Sequence, residues 1–344
     1  MKLNSLKIKL LIHEFAKFLI GHIHDILVTI LYAIILVREK CIRPVRFDHI
    51  SLSNRSHHEN KVVSVVVDKF NKLLPHSRKK PFYLIYGSTK RRLSLHHLAR
   101  GAVMRTRRVV VLEQPPIDRG EVSTEFTSRS FRVGLNGFLR TNCFEILNAE
   151  LTDFAAANQT QFLNLPNVET DNFELALICG QLPGDASLRD QDIFNWIGDV
   201  VETIRKRYSN IVIRTPQIGH EAYWRRLKYL LNGTSVRLEI GTHANKMQSI
   251  TSASCVFSYS STFSVDVLKV GKMQCIDSPD SFLFDIFPTT IAYSMSDYSQ
   301  NWIPARDEIE ERANCITAIE YSIDEFEKES KRIEILVRSL ASKC

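Results

Sequence analysis

Five short apolar runs punctuate the chain between residues 174 and 276: ELALIC from Glu174, NIVIR from Asn210, VRLEI from Val236, CVFSY from Cys255 and QCI from Gln274. Each is short enough to be a strand and gives way to glycine or polar turn residues. Runs that are apolar on both faces need cover on both faces, which a parallel sheet between helices supplies. The segments between them are helical in period. In Asp190–Tyr208, Ile193, Ile197, Val200, Val201 and Ile204 fall on one face, acidic residues begin the segment and basic ones end it. Helices are also expected at His220–Leu231, Ala244–Ser252 and Thr262–Val270. The pattern predicts a doubly wound parallel α/β sheet of five strands.

Such sheets bind ligands outside the carboxyl ends of their strands. The first run stops at Gly180, and the turn GQLPGDAS carries Gln181, Gly184, Asp185 and Ser187 into a helix, whose amides suit phosphate. Two further polar turns fall on the same edge: Arg214-Thr215-Pro216-Gln217 and Tyr259-Ser260-Ser261-Thr262. Asp185 suits a nucleophile, a general base or a metal ligand, and equally a helix N-cap. Arg214 is placed to hold an anion, although an arginine ending a strand is as often a surface residue. The hydroxyls of Ser260, Ser261 and Thr262 suit a phosphate cradle or, more plainly, a helix cap. There is no GxSxG elbow and no GxxxxGK[ST] loop.

Upstream, a helix is expected at Val62–Leu74, strands at Pro81–Gly87 and Arg108–Glu113, and a helix at Leu93–Arg100, the makings of a first α/β domain. Residues 47–60, including His57-His58, read as a polar loop. SFRVGLNGFLR (130–140) reads as a hairpin turn, or less readily as a close approach to a ligand, around Gly134 and Gly137, and the Asn- and Thr-rich stretch Asn148–Asn172 as a connection. Phe18–Val37 has the length of a membrane span, but a central Asp costs about 3 kcal/mol on an insertion scale. His22, His24 and Asp25 favour a helix lying at a membrane surface or packed on a domain, over a single-span anchor; no cleavage site follows it. Residues 306–342 read as one or two surface helices. The expected domains are 1–46 (membrane-associated helix), 47–165 (N-terminal α/β), 166–300 (C-terminal, nucleotide-binding) and 301–344 (helices).

The net charge of +7 and pI near 9.0 fit an anionic partner, a phosphate-bearing substrate or acidic membrane surface. No stretch mixes basic and aromatic residues as nucleic-acid modules do. Seven scattered cysteines without CxxC or Cys/His spacing argue against zinc and disulfides.

The order strand–GQLPGDAS–helix–NIVIRTPQ–helix–VRLEIG–helix–CVFSYSSTFSVDVLKVGK resembles the capsular-polysaccharide synthase family of bacterial Kdo transferases, over about residues 125–285. The resemblance implies a GT-B-like fold of two Rossmann-like domains. It implies transfer of Kdo from CMP-Kdo to a surface polysaccharide or glycolipid, with retention and without a metal or other cofactor. The family's GQ…DxS matches Gln181, Asp185 and Ser187 and implies that Asp185 is the nucleophile. Its hydroxyl turn before a helix ending in Gly-Lys matches Ser260, Ser261, Thr262, Gly271 and Lys272, and Asp266 takes the acidic position near the ribose. The family's Lys-Pro-His-Pro is replaced by Arg214-Thr215-Pro216-Gln217. The phosphate contacts then fall to Arg214 and Gln217, or to His220 or His243, or the chain is an inactive relative. The implied location is cytoplasmic, peripheral at the inner membrane. Two other readings stand beside this one: a silent glycan- or synthase-binding relative, and another nucleotide-sugar enzyme on the same sheet.

Overall fold

In the computed structural model the described residues are 48–49, 57–73, 83–86, 109–113, 130–137, 139–158, 165–169, 171–183, 185–188, 191–217, 220–232, 234–295, 302–328 and 330–343. The strands, in chain order, are β1 (Asp48–His49), β2 (Tyr83–Tyr86), β3 (Val109–Glu113), β4 (Ser130–Leu135), β5 (Leu175–Cys179), β6 (Asn210–Pro216), β7 (Val236–Gly241), β8 (Cys255–Ser258), β9 (Met273–Ile276) and β10 (Glu320–Ser322). The helices are α1 (His57–Leu73), α2 (Arg140–Phe144), α3 (Ala149–Ala157), α4 (Ile193–Ile204), α5 (His220–Leu230), α6 (His243–Ser252), α7 (Phe263–Val270), α8 (Thr290–Met295), α9 (Arg306–Ile319), α10 (Ile323–Glu327) and α11 (Lys331–Ser342).

The five apolar runs form one all-parallel sheet in the order β7-β6-β5-β8-β9. Ala176, Leu177, Ile178, Ile213, Val256, Phe257 and Cys275 are buried in it. Both faces are covered, as uninterrupted Val/Ile/Leu runs require. α4 buries Ile193, Ile197, Val200, Val201 and Ile204, the predicted stripe, and Asp192 caps it by accepting from the Phe194 N–H. The opposite face carries a smaller cluster that includes Val212, Ile250, Val256 and Val267.

The other sheet is mixed, ordered β1-β2-β3-β4-β10. β1, β2 and β3 are parallel, whereas β4 runs antiparallel to both β3 and β10. This departs from a second Rossmann-like sheet of parallel strands. In register, Arg132 on β4 lies between Glu113 on β3 and Glu320 on β10. A buried cation therefore has a glutamate opposite it on each neighbouring strand, where opposite charges attract.

Four expectations need correction. Residues 57–60 are not loop: α1 begins at His57, and Asp48–His49 pairs with β2. The glycine segment is no hairpin turn, because SFRVGL is β4 and the chain passes directly into α2. Gly134 lies so close to the turn that a Cβ there would stand 2.2 Å from the Gly137 carbonyl oxygen, and Asn136 takes φ 60°. Asn148–Asn172 is not wholly connection, since Asn148 caps α3 and Leu151 and Ala155 bury its inner face. The C-terminal segment is more than helices, because it also supplies β10. Leu93–Arg100 and Phe18–Val37 lie outside the described residues. Among the described residues no helix is long and apolar enough to cross a membrane.

The two sheets are tied through the loop after β9. Arg140 donates to the Phe284 carbonyl at 3.0 Å and to Asp285 Oδ2 at 2.8 Å. Arg312 donates to the carbonyls of Phe282 and Phe284, both at 2.8 Å. Burial and the charge of Arg140 both lower the Arg312 pKa. At the amino edge of the parallel sheet, Tyr208 and Tyr293 both donate to Asp171 Oδ2.

Candidate active site

Counting outward from β5, the order β7-β6-β5-β8-β9 reverses direction between β5 and β8. That is the switch point of a doubly wound sheet, where neighbouring loops part and leave a crevice. The two loops leaving it are those of Gln181 and Ser260.

Gly180 begins the first loop, and its backbone allows a close approach: a Cβ there would meet the Tyr223 hydroxyl at 2.7 Å and the Arg214 carbonyl at 3.0 Å. Burial raises the Tyr223 pKa well above that of an ordinary phenol. Gln181 follows, 7% exposed, and its amide is occupied at both ends. Oε1 accepts the Ser260 N–H at 2.9 Å; Nε2 donates to Ser187 Oγ and Ser260 Oγ, both at 3.1 Å. Ser260 Oγ also donates to the Ser187 carbonyl at 2.9 Å. Gln181, Ser187 and Ser260 therefore form one closed network across the switch point.

Asp185 hangs from that network. Its Oδ1 accepts both the N–H of Ser187, at 2.9 Å, and its hydroxyl, at 2.8 Å. The Asp185 carbonyl accepts the Leu188 N–H at 2.9 Å, closing the single 3-10 turn Ala186–Leu188. The capping role is thus real, but it uses one oxygen. Among the described residues nothing donates to Oδ2, and the residue is half-buried.

At the start of α7 the amides of Phe263, Ser264 and Val265 fold back on Ser261 Oγ, the Ser261 carbonyl and the Thr262 carbonyl. The helix start is therefore less open to an anion than the sequence suggests. The N–H groups of Ser261 and Thr262 take no partner among the described residues, and Thr262 Oγ1 is buried without one. Asp266, one turn on, pairs with Lys246 of α6, Nζ to Oδ2 at 3.0 Å.

Arg214 is 7% exposed and faces inward. Nη1 donates to Asn245 Oδ1 at 2.6 Å, Ser249 Oγ at 3.1 Å and Glu239 Oε1 at 3.2 Å, while Nη2 donates to the Thr242 carbonyl. Both terminal nitrogens thus hold the first turns of α6 onto β6 and β7. Gln217 stands exposed just past β6. The structure therefore brings Gln181, Asp185, Ser187 and Ser260 together, with Ser261, Thr262 and Asp266 continuing along α7. Arg214 and Gln217 belong to the neighbouring strand end. Lys246 was not foreseen. No motif marks it, and only its place directly after the Thr242–Asn245 capping box fixes where it points. Among the described residues no three His, Cys, Asp or Glu side chains gather as a metal site.

No family model matches the chain, and no curated protein matches it. Among solved structures it is similar to the beta Kdo 2,4 transferase of Thermosulfurimonas dismutans KpsC, with TM-score 0.44 and 16% identity over 79% of this chain and 89% of that one. It is also similar to the beta Kdo 2,7 transferase of the same KpsC, with TM-score 0.44 and 12% identity over 87% of this chain and 99% of that one.

Proposed function

We propose that the chain is a glycosyltransferase that takes an acidic sugar from a CMP-sugar, CMP-Kdo in the first instance, and passes it with retention to a glycan or glycolipid hydroxyl. The observation that supports this reading best is the state of Asp185: one oxygen fixed by Ser187, the other without a described donor, at the switch point of a parallel sheet. A nucleophilic carboxylate needs both properties, a held geometry and a free lone pair.

In this reading Asp185 Oδ2 attacks the anomeric carbon. A carbon–oxygen bond to the carboxylate forms as the bond to the CMP phosphate breaks, and CMP leaves with the electron pair. The acceptor hydroxyl then attacks the same carbon, its proton passes to a base and Asp185 is released. The N–H groups of Ser261 and Thr262 and the Thr262 hydroxyl face the phosphate, where fixed donors stabilise developing charge. Asp266 accepts from the ribose hydroxyls. Gln181, Ser187, Ser260 and Arg214 shape the donor site by holding its loops, and Gln217 lies at its rim. Residues 47–165 and 166–300 are taken as the two halves of a GT-B-like pair, working at a membrane surface without a metal or other cofactor.

Two measurements test this. Titration calorimetry with CMP should give saturable binding, and heat no greater than dilution would remove the donor assignment. Transfer from CMP-Kdo to a polysaccharide acceptor should be lost in Asp185→Ala; a variant with undiminished rate would exclude Asp185 as nucleophile.

A further inference from the structure

The sequence places Arg214 to hold an anion, and the resemblance leaves the phosphate contacts to Arg214 and Gln217 or to His220 or His243; the structure turns the Arg214 guanidinium to other work. Its terminal nitrogens are held by Glu239, Thr242, Asn245 and Ser249. Asn245 and Ser249 bracket Lys246, Met247 and Gln248, so Arg214 anchors α6 on both sides of Lys246, the one cation among the three. We propose that Lys246 is the phosphate-binding cation of this site, and that Arg214 acts only through it, as a positioning residue.

Three observations support the assignment. Lys246 Nζ stands 3.0 Å from Asp266 Oδ2, with both side chains mostly covered, at 21% and 16% exposed. Asp266 lies four residues after Thr262, and helix side chains lean toward the N-terminus. Asp266, and with it the ammonium it holds, thereby stands about one turn, roughly 6 Å of helical rise, beyond Thr262. Second, an ammonium has three N–H donors, and Asp266 accepts one. Among the described residues nothing accepts the other two. Third, Thr262 is 8% exposed, and its buried Oγ1 has no partner among the described residues. A hydroxyl and two amides at the start of α7, and an ammonium paired one turn along it, make up the donor set. That donor set matches a phosphate oxyanion and not an uncharged sugar. Asp266 keeps the ammonium aimed when the site is empty, and accepts from a diol when a nucleotide fills it.

The inference deepens the proposed function, and calorimetry can fail either one separately. Wild-type protein would be titrated with inorganic phosphate, pyrophosphate, CMP and cytidine, alongside Lys246→Met, Lys246→Arg and Asp266→Asn. Lys246→Met should weaken CMP and pyrophosphate by about tenfold or more and leave cytidine unchanged. Lys246→Arg should recover most of the loss. Asp266→Asn should tighten phosphate and weaken cytidine. If Lys246→Met misfolds, Lys246→Arg and Asp266→Asn carry the test, since a structural ion pair predicts no opposite effects on phosphate and cytidine. CMP binding that is indifferent to Lys246 would overturn this assignment and spare the donor reading. Pyrophosphate binding that depends on Lys246, with CMP no better than phosphate, would sustain it and sink the CMP-sugar reading. No binding of any phosphate compound would overturn both.

Discussion

Ser260 donates its backbone N–H to Oε1 of Gln181 at 2.9 Å, joining loops 79 residues apart in sequence across the switch point of the parallel sheet. Gln181→Ala leaves that buried N–H without its acceptor and two serine hydroxyls without the amide donor. A cost of about 2 kcal/mol is expected, from the desolvation of an unpaired buried donor. Urea unfolding should show a lowered midpoint at unchanged slope. A midpoint equal to wild type would mean that the amide bridge contributes nothing.

Arg214→Lys tests whether the fork of the guanidinium matters. Lysine keeps the charge beside Glu239 but cannot reach Asn245, Ser249 and the Thr242 carbonyl together. A loss of about 3 kcal/mol is expected for breaking up a buried, hydrogen-bonded pair. Hydrogen exchange should quicken first in α6. Uniform loss of protection across the sheet, with α6 no different, would contradict the anchoring role.

Ser187→Ala removes one of the two donors on Asp185 Oδ1 and keeps the other, the backbone N–H. It also takes an acceptor from Gln181 Nε2, which keeps Ser260 Oγ. Stability should fall by about 1–2 kcal/mol, the net worth of two partly exposed hydrogen bonds. Under the proposed mechanism CMP affinity should hold while the transfer rate falls by about tenfold, because the carboxylate is less well aimed. A variant that loses CMP binding and keeps its rate would move Ser187 from positioning to donor contact.

Stability should fall on the alkaline side. Burial pushes the Cys143 thiol from 9.0 up to about 12, against the lowering pull of Arg132. Burial likewise raises Tyr208 and Tyr293 above the ordinary 10.0. Each group is neutral in the fold at a pH where the unfolded chain has released the proton. Its contribution is therefore complete below the unfolded pKa and declines as pH rises from about 9 toward 12, by up to about 1.4 kcal/mol per pH unit and group. Urea midpoints between pH 7 and 11 should drop above pH 9, and Cys143→Val should lessen the drop. A flat profile through pH 11 would refute it.

The parallel sheet was legible because β5, β6 and β8 carry continuous apolar runs, because Gly180 and Gly241 mark two strand ends, and because α4 keeps a clean 3.6 period. The mixed sheet was not. β10 is three residues long and paired with β4 through tertiary contacts that no local pattern announces. α3 was hidden by composition: asparagines and threonines around it signal a loop, and only Leu151 and Ala155 turn inward. At the site, the motif singled out Gln181, Asp185 and Ser187, and the structure brings all three together with Ser260. Arg214 was seen as a charge at a strand end. Its direction depends on register, which sets Glu239 opposite it, and register cannot be read from one strand.

The pairing of β4 with β10 also governs the order in which the chain can be built. The whole parallel sheet lies in the sequence between those two adjacent strands, so it is an insertion within the mixed sheet. On the ribosome β5 to β9 are complete while β4 still lacks its outer neighbour. Among the described strands, β10 reaches the tunnel exit only after the whole parallel sheet has done so. Until then β4 presents an open edge, the kind of surface that invites mispairing with another nascent chain. The buried Arg132 waits through the same interval with one of its two flanking carboxylates missing.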